Sequence, residues 1–205
     1  MSEAPTVFVV DDDKRITDAI ALLMRSVGLN VERFDSALDY LEQFDQDKPG
    51  CLISDVRMPQ MSGLDLQTRL NNFAIHPPIL MMTGHGDVPM AVRAIQEGAI
   101  DFIEKPFNNQ HLLDKVHKAL EIDDKQRGRA LKVSEIQKKY NYLTDKEQQV
   151  FELIIQGALN KKIAQEVCVS QSAVEARRAK IMEKMQADNL SELMRMAMAM
   201  GMIEV

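Results

Sequence analysis

Short apolar runs alternate with amphipathic stretches along the first 122 residues. The run TVFVV (6–10) reads as a strand. Residues 12–28 carry Ile16, Ile20, Leu23, Met24 and Val27 at helical spacing, and Gly28 closes them. NVERF (30–34) is a short strand, and SALDYLEQF (36–44) a helix capped by Ser36. CLIS (51–54), PILMM (78–82) and AIDFI (99–103) are further strands. The stretches 64–72, 88–98 and 109–122 between and after them have helical spacing. Apolar strands separated by helices predict a parallel sheet covered on both faces, here an α/β doubly wound five-stranded sheet in one domain. Residues 123–143 are highly charged and largely lack an apolar stripe, which predicts a partly helical linker. Beyond it the period is helical only, with helices near 145–156, 160–167, 171–185 and 190–200. No internal repeat appears.

Charge divides the chain in the same place. Residues 1–124 hold 11 Lys+Arg against 21 Asp+Glu, a net of −10, while residues 125–205 hold 14 against 10, a net of +4. An acidic domain joined to a basic one predicts two different partners, the second a polyanion. The two cysteines, Cys51 and Cys168, form neither a disulfide framework nor a metal knuckle, and a reducing cytoplasm is expected. No basic start followed by an apolar run suggests a leader. No apolar run reaches the ~18 residues of a membrane span.

In a doubly wound sheet, sites form where strands end at their carboxyl termini. Those ends offer Asp11, Asp12 and Asp13, then Asp55, then Thr83, then Lys105-Pro106. Several carboxylates on one rim repel unless a cation joins them. Mg²⁺ (or Mn²⁺) wants oxygen ligands and pairs carboxylates with phosphate oxygens. Lys105 adds a positive point charge and Thr83 a hydroxyl. The set predicts a bound phosphoryl group, with Asp55 as the carboxylate that accepts it. Asp13 is expected to cap the first helix rather than bind metal, and Gly63 to supply a positive φ. His85 lies beside the pocket. An aspartyl phosphatase that used the Asp11-x-Asp13 pair would leave Asp55 unexplained.

The motifs VVDDD, ISDVRMPQMSG, MMTGHGD and DFIEKPF, in this order on these elements, resemble the receiver domain of two-component response regulators over about residues 4–122. The resemblance implies a flavodoxin/CheY-like receiver phosphorylated on Asp55 by a sensor histidine kinase. It also implies Mg²⁺ held by Asp11, Asp12, Asp55 and the Arg57 carbonyl, Lys105 on the phosphoryl group before a cis peptide to Pro106, and Thr83 with Phe102 as a switch pair. The chain's catalytic role is then confined to its own phosphoryl transfer.

In the basic half, Thr144 and Glu147 have the spacing of a capping box, and Gly157 ends that helix. Ser170 caps the helix over 171–185. On its wheel Val174, Ile181 and Met185 face inward. Ser172, Glu175, Ala176, Ala179 and Glu183 lie opposite, flanked by Arg177, Lys180 and Lys184. Small and hydrogen-bonding residues with flanking cations suit a major groove, and Asn160, Lys161 and Lys162 suit the DNA backbone. These residues resemble the LuxR-type helix-turn-helix domain of the NarL/FixJ class, over about residues 140–203, nearest the FixJ branch. The expected architecture is a receiver at 4–122, a linker at 123–139 and a four-helix DNA-binding domain at 140–205. The resemblance implies a transcription regulator, leaning to activation, that dimerises when phosphorylated, binds double-stranded promoter DNA and works with RNA polymerase. The competing reading is a phospho-switched adaptor whose helical domain binds protein or RNA.

Overall fold

The computed structural model describes residues 4–84 and 88–203. The chain separates into two compact units, Met1–Gly128 and Arg129–Val205.

The first unit is built on five parallel strands, β1 (Thr6–Val10), β2 (Asn30–Phe34), β3 (Gly50–Asp55), β4 (Ile79–Thr83) and β5 (Asp101–Glu104), in the order β2-β1-β3-β4-β5. Strand β5 starts two residues later than the apolar run suggested. Helices α1 (Lys14–Ser26), α2 (Ala37–Glu42), α3 (Gly63–Leu70), α4 (Val88–Gln96) and α5 (Asn109–Asn141) connect and follow the strands. Alternation along the strands sorts side chains to two faces. Val7, Val9, Ile53, Leu80 and Ile103 pack with Ile20 and Met24 of α1 and Leu112 and Val116 of α5. Phe8, Val10, Leu52 and Met81 pack on the other face with Tyr40 of α2, Leu66 and Leu70 of α3, and Ala94 of α4. Packing of these apolar faces, more than intrinsic propensity, is what stabilises the helices.

Helix starts follow the sequence signals. Asp13 accepts the Arg15 N–H at 3.0 Å, and Ser36 accepts that of Asp39 at 3.1 Å. Side-chain and backbone hydrogen bonds from Arg15 hold the Asp13 carboxyl down at about 2. Before α3, Ser62 and Asp65 form a reciprocal box, with Ser62 Oγ taking the Asp65 N–H at 3.2 Å and Asp65 Oδ2 taking the Ser62 N–H at 3.2 Å.

The predicted linker is the main departure. Residues 123–139 do not interrupt the helix, because α5 runs unbroken from Asn109 to Asn141. Its first part belongs to the first unit. Asp123 is buried and Arg127 is tied to the loop before β3, which offsets the missing apolar residues there.

The second unit contains the end of α5 with α6 (Asp145–Ile155), α7 (Asn160–Glu166), α8 (Gln171–Met185) and α9 (Leu190–Ala199). Its core joins Val150, Phe151, Ile163, Val174, Ile181, Met185, Leu193 and Ala197, with Ile136 and Tyr140 of α5 against it. Cys51 is buried in β3, where burial pushes its thiol well above the ordinary range, whereas Cys168 is exposed in the turn between α7 and α8 with φ 52°. Among the described residues no helix is long and apolar enough to cross a membrane.

Candidate functional site

Strand order creates the site. The chain turns one way from β1 to β2 and the other way to β3, so a crevice opens between the carboxyl ends of β1 and β3. Val10 pairs with Ser54, and Asp11 and Asp55 are the next residues along the two strands. Oxygens of Asp11, Asp12 and Asp55 all lie within 4.8 Å of one another. Asp11 is 1% exposed, Asp12 is exposed, and Asp55 is buried.

The partners of these acids are specific. Lys105, after β5, donates to Asp11 Oδ2 at 2.7 Å and to Asp55 Oδ1 at 2.6 Å. The Asp13 N–H donates to Asp11 Oδ1 at 2.8 Å, and the Arg57 N–H to Asp55 Oδ2 at 3.1 Å. Burial raises the Asp55 pKa above the usual carboxylate range, and Lys105 only partly opposes it. Burial acts to lower the Lys105 pKa, but hydrogen bonds to Asp11 and Asp55 outweigh it and leave the ammonium's pKa raised. The Lys105–Pro106 peptide is cis. Thr83, at the end of β4, is 3% exposed, and its carbonyl accepts the Lys105 N–H at 2.8 Å. Phe102 in β5 points outward, 41% exposed.

One expectation changes here. Gly63 does not have a positive φ. It is needed for space, since a Cβ there would fall onto the Asp55 carbonyl oxygen. Asp13 is occupied by Arg15, whose Nη2 lies 2.7 Å from its Oδ2, so the Asp11-x-Asp13 pair does not present two acids to one substrate. His85 lies outside the described residues.

The acid cluster fits a hard divalent cation by its donor set: three carboxylates converge on one rim, and the single Lys105 ammonium shared by two of them leaves net negative charge for a cation to offset.

In the second unit α7 and α8, joined by a short turn, form the helix-turn-helix. Ser172, Glu175, Ala176, Ala179 and Lys180 are exposed along one side of α8, opposite the buried Val174, Ile181 and Met185, and Arg177 is half-buried. Lys161 and Lys162 are exposed and Asn160 half-buried in the first turn of α7.

Lys184 departs from its expected place on the DNA flank. Its ammonium donates to Glu147 Oε2 at 2.6 Å and sits 5.3 Å from the Tyr142 ring centroid. The cause is the capping box of α6, where Glu147 Oε2 also takes the Thr144 N–H at 2.9 Å. This acid is 6% exposed and draws the nearest cation inward, and Lys184 together with Thr144 holds it below the usual range.

Comparison with known proteins gives the same division. The family "Response regulator receiver domain" matches residues 7–117, and "Bacterial regulatory proteins, luxR family" matches residues 141–197. The response regulator protein TodT of Pseudomonas putida is 43% identical over 192 residues, covering 94% of this chain and 85% of TodT. The transcriptional regulatory protein FixJ of Bradyrhizobium diazoefficiens is 40% identical over 197 residues, covering 96% of each chain. A low-resolution structure of the response regulator StyR superposes with a TM-score of 0.81 at 40% identity, covering 96% of this chain and 99% of StyR. Two matched domains in this order, and relatives aligned along nearly their whole length, place the chain: it belongs to the response regulators that join a receiver domain to a LuxR-type DNA-binding domain.

Proposed function

We propose that this response regulator takes a phosphoryl group on Asp55 from a sensor histidine kinase and thereby controls its own dimerisation and its binding to promoter DNA. The observation that carries the reading is the Lys105 ammonium shared between Asp11 and Asp55 at the ends of neighbouring strands. Asp55 Oδ1 attacks the phosphorus of phosphohistidine. A P–O bond forms, the P–N bond breaks, and the imidazole nitrogen leaves with the electron pair. Lys105, already beside the attacking oxygen, offsets the negative charge that the phosphoryl oxygens bring in. Its second partner, Asp11, holds it in place. Asp11, Asp12 and Asp55 with the Arg57 carbonyl are the residues that would hold Mg²⁺ or Mn²⁺. Such an ion supplies charge neutralisation on the transferring phosphoryl oxygens.

The new anion draws the Thr83 hydroxyl toward it, and Phe102 turns from its exposed position into the space that Thr83 leaves. A local charge change thus reaches the face made by α4, β5 and α5. In the output domain, Glu175, Ala176, Ala179 and Ser172 meet base edges. Arg177, Lys180, Lys161, Lys162 and Asn160 meet the backbone. The reading places the protein in the cytoplasm, where promoter DNA and RNA polymerase are at hand.

Asp55→Asn tests the acceptor. With a small phosphoryl donor such as acetyl phosphate, acyl-phosphate labelling is expected to vanish while Mg²⁺ still binds, more weakly. Full-stoichiometry labelling of the variant overturns the assignment.

A further inference from the structure

We infer that Asp123 and Arg127 are positioning residues of the output switch: together they clamp the last receiver turn of α5 onto the amino-terminal pole of the sheet, and so set where and in what helical phase the chain leaves the receiver. The inference rests on the proposed phosphorylation-dependent function and adds a device to it.

The buried stripe of α5 runs through Leu112, Val116 and Ala119, and its next two steps are Asp123 and Arg127. An acid and a base in such a stripe are costly unless their polar groups find partners. They find them far back in the sequence. Asp123 is 2% exposed, and its Oδ2 accepts the Gly50 N–H at 2.8 Å and Arg127 Nε at 2.8 Å. The two terminal nitrogens of Arg127 donate to the carbonyls of Gln46 at 2.7 Å and Lys48 at 2.8 Å. The guanidinium fork thus serves three acceptors at once, which an ammonium could not match in geometry.

Gly50 is what lets the strand end come so near, because a Cβ there would fall onto the Thr6 carbonyl oxygen. Gly50 opens β3, and Asp55 closes it. The clamp and the acceptor carboxylate therefore hold opposite ends of one six-residue strand. Asp123 Oδ1 and the nearby Tyr40 hydroxyl are buried without a hydrogen-bond partner among the described residues. The carboxylate is thus only half satisfied and depends on Arg127. Without Arg127 a buried charge stands uncompensated, and the simplest relief is for the turn 123–127 to lift from the sheet. The next residue is Gly128, a poor helix former, so the helix has a weak point directly beyond the clamp. The boundary between the two compact units falls there as well.

The test uses the full chain as wild type, Arg127→Ala, Arg127→Lys and, as a stability control, the core variant Val116→Ala. Each is labelled at Asp55 with acetyl phosphate. Each is then titrated, with and without the donor, against a duplex selected on phosphorylated wild-type protein. Both Arg127 variants are expected to label like wild type. The ratio of their DNA affinities with and without phosphate should fall toward one, by about five-fold or more. Amide exchange over residues 124–135 should quicken by about ten-fold in Arg127→Ala. Val116→Ala should lose thermal stability and keep the ratio. An unchanged ratio in both Arg127 variants, or an equal collapse in Val116→Ala, overturns the inference. Failure of wild type to label would instead sink the proposed function, and amide exchange alone would then decide whether the clamp holds the helix.

Discussion

Replacing Lys105 by methionine removes one charge and keeps most of the side-chain volume, so it isolates the electrostatics of the acid cluster. In the native site the ammonium donates to both Asp11 and Asp55. Without it, oxygens of three acids remain within 4.8 Å of one another. At an effective dielectric constant of about 20, two unit charges at that separation repel by about 3.5 kcal/mol. Part of this is relieved when Asp55 takes up a proton, since burial already raises its pKa. The expected net loss is about 2–3 kcal/mol near neutral pH, or roughly 6–12 °C in the melting temperature of a unit of this size. The pH dependence has a definite sign. A carboxyl whose pKa is higher folded than unfolded binds more protons in the native state, so its contribution falls as pH rises. The deficit of the variant is therefore largest above neutrality and shrinks as pH drops into the carboxylate range. A cation that binds only the native acids should stabilise either protein by about 2.7 kcal/mol at a hundred-fold excess over its own Kd. The assay is urea or thermal unfolding of both proteins at pH 5 and pH 8, in chelator and in saturating Mg²⁺. A variant as stable as wild type at pH 8 in chelator, or one that Mg²⁺ fails to stabilise, would refute the idea that these acids form one coupled cluster.

Three further variants have definite expected outcomes. Lys184→Ala should destabilise the DNA-binding unit by about 1.5–3 kcal/mol, because Glu147 loses its charged partner. That difference should disappear as pH falls through the carboxylate range, and the salt dependence of DNA binding should stay unchanged. Lys180→Ala, by contrast, should lower the salt slope by about one with little change in unfolding. Gly63→Ala should cost about 1–3 kcal/mol in unfolding and slow Asp55 labelling, since the new methyl group displaces the start of α3 from the Asp55 carbonyl. Wild-type labelling kinetics in that variant would show that the close approach is idle.

The sheet was legible because β1, β3 and β4 are apolar runs bounded by polar turns, and the acid rim was legible because a charge after such a run has few structural excuses. Asp11, Asp55 and Lys105 come together as their positions suggested. The caps at Asp13, Ser36 and Ser170 could be read from residue type alone. What the sequence hid is the polar half of α5. Residues 123–139 look like a solvated linker because the eye looks for apolar spacing. The same spacing continues through Asp123 and Arg127, whose partners lie more than 70 residues back, at the start of β3 and in the loop before it. The stripe keeps its helical spacing there while its residues turn polar. Lys184 was misplaced for a related reason: a wheel shows the angle around one helix and not the buried acid on a neighbour that captures the side chain. Gly63 was misread because a glycine can serve space as well as backbone rotation, and only the fold tells which.

The placement of the two thiols has a practical consequence. Cys51 is sealed inside the sheet with its proton held tightly, while Cys168 stands open in the bend of the helix-turn-helix. A maleimide dye added to the native fold at neutral pH therefore marks a single atom, the sulfur beside the DNA-reading helix. The unmutated chain thus carries its own attachment point for a fluorophore that reports when duplex arrives.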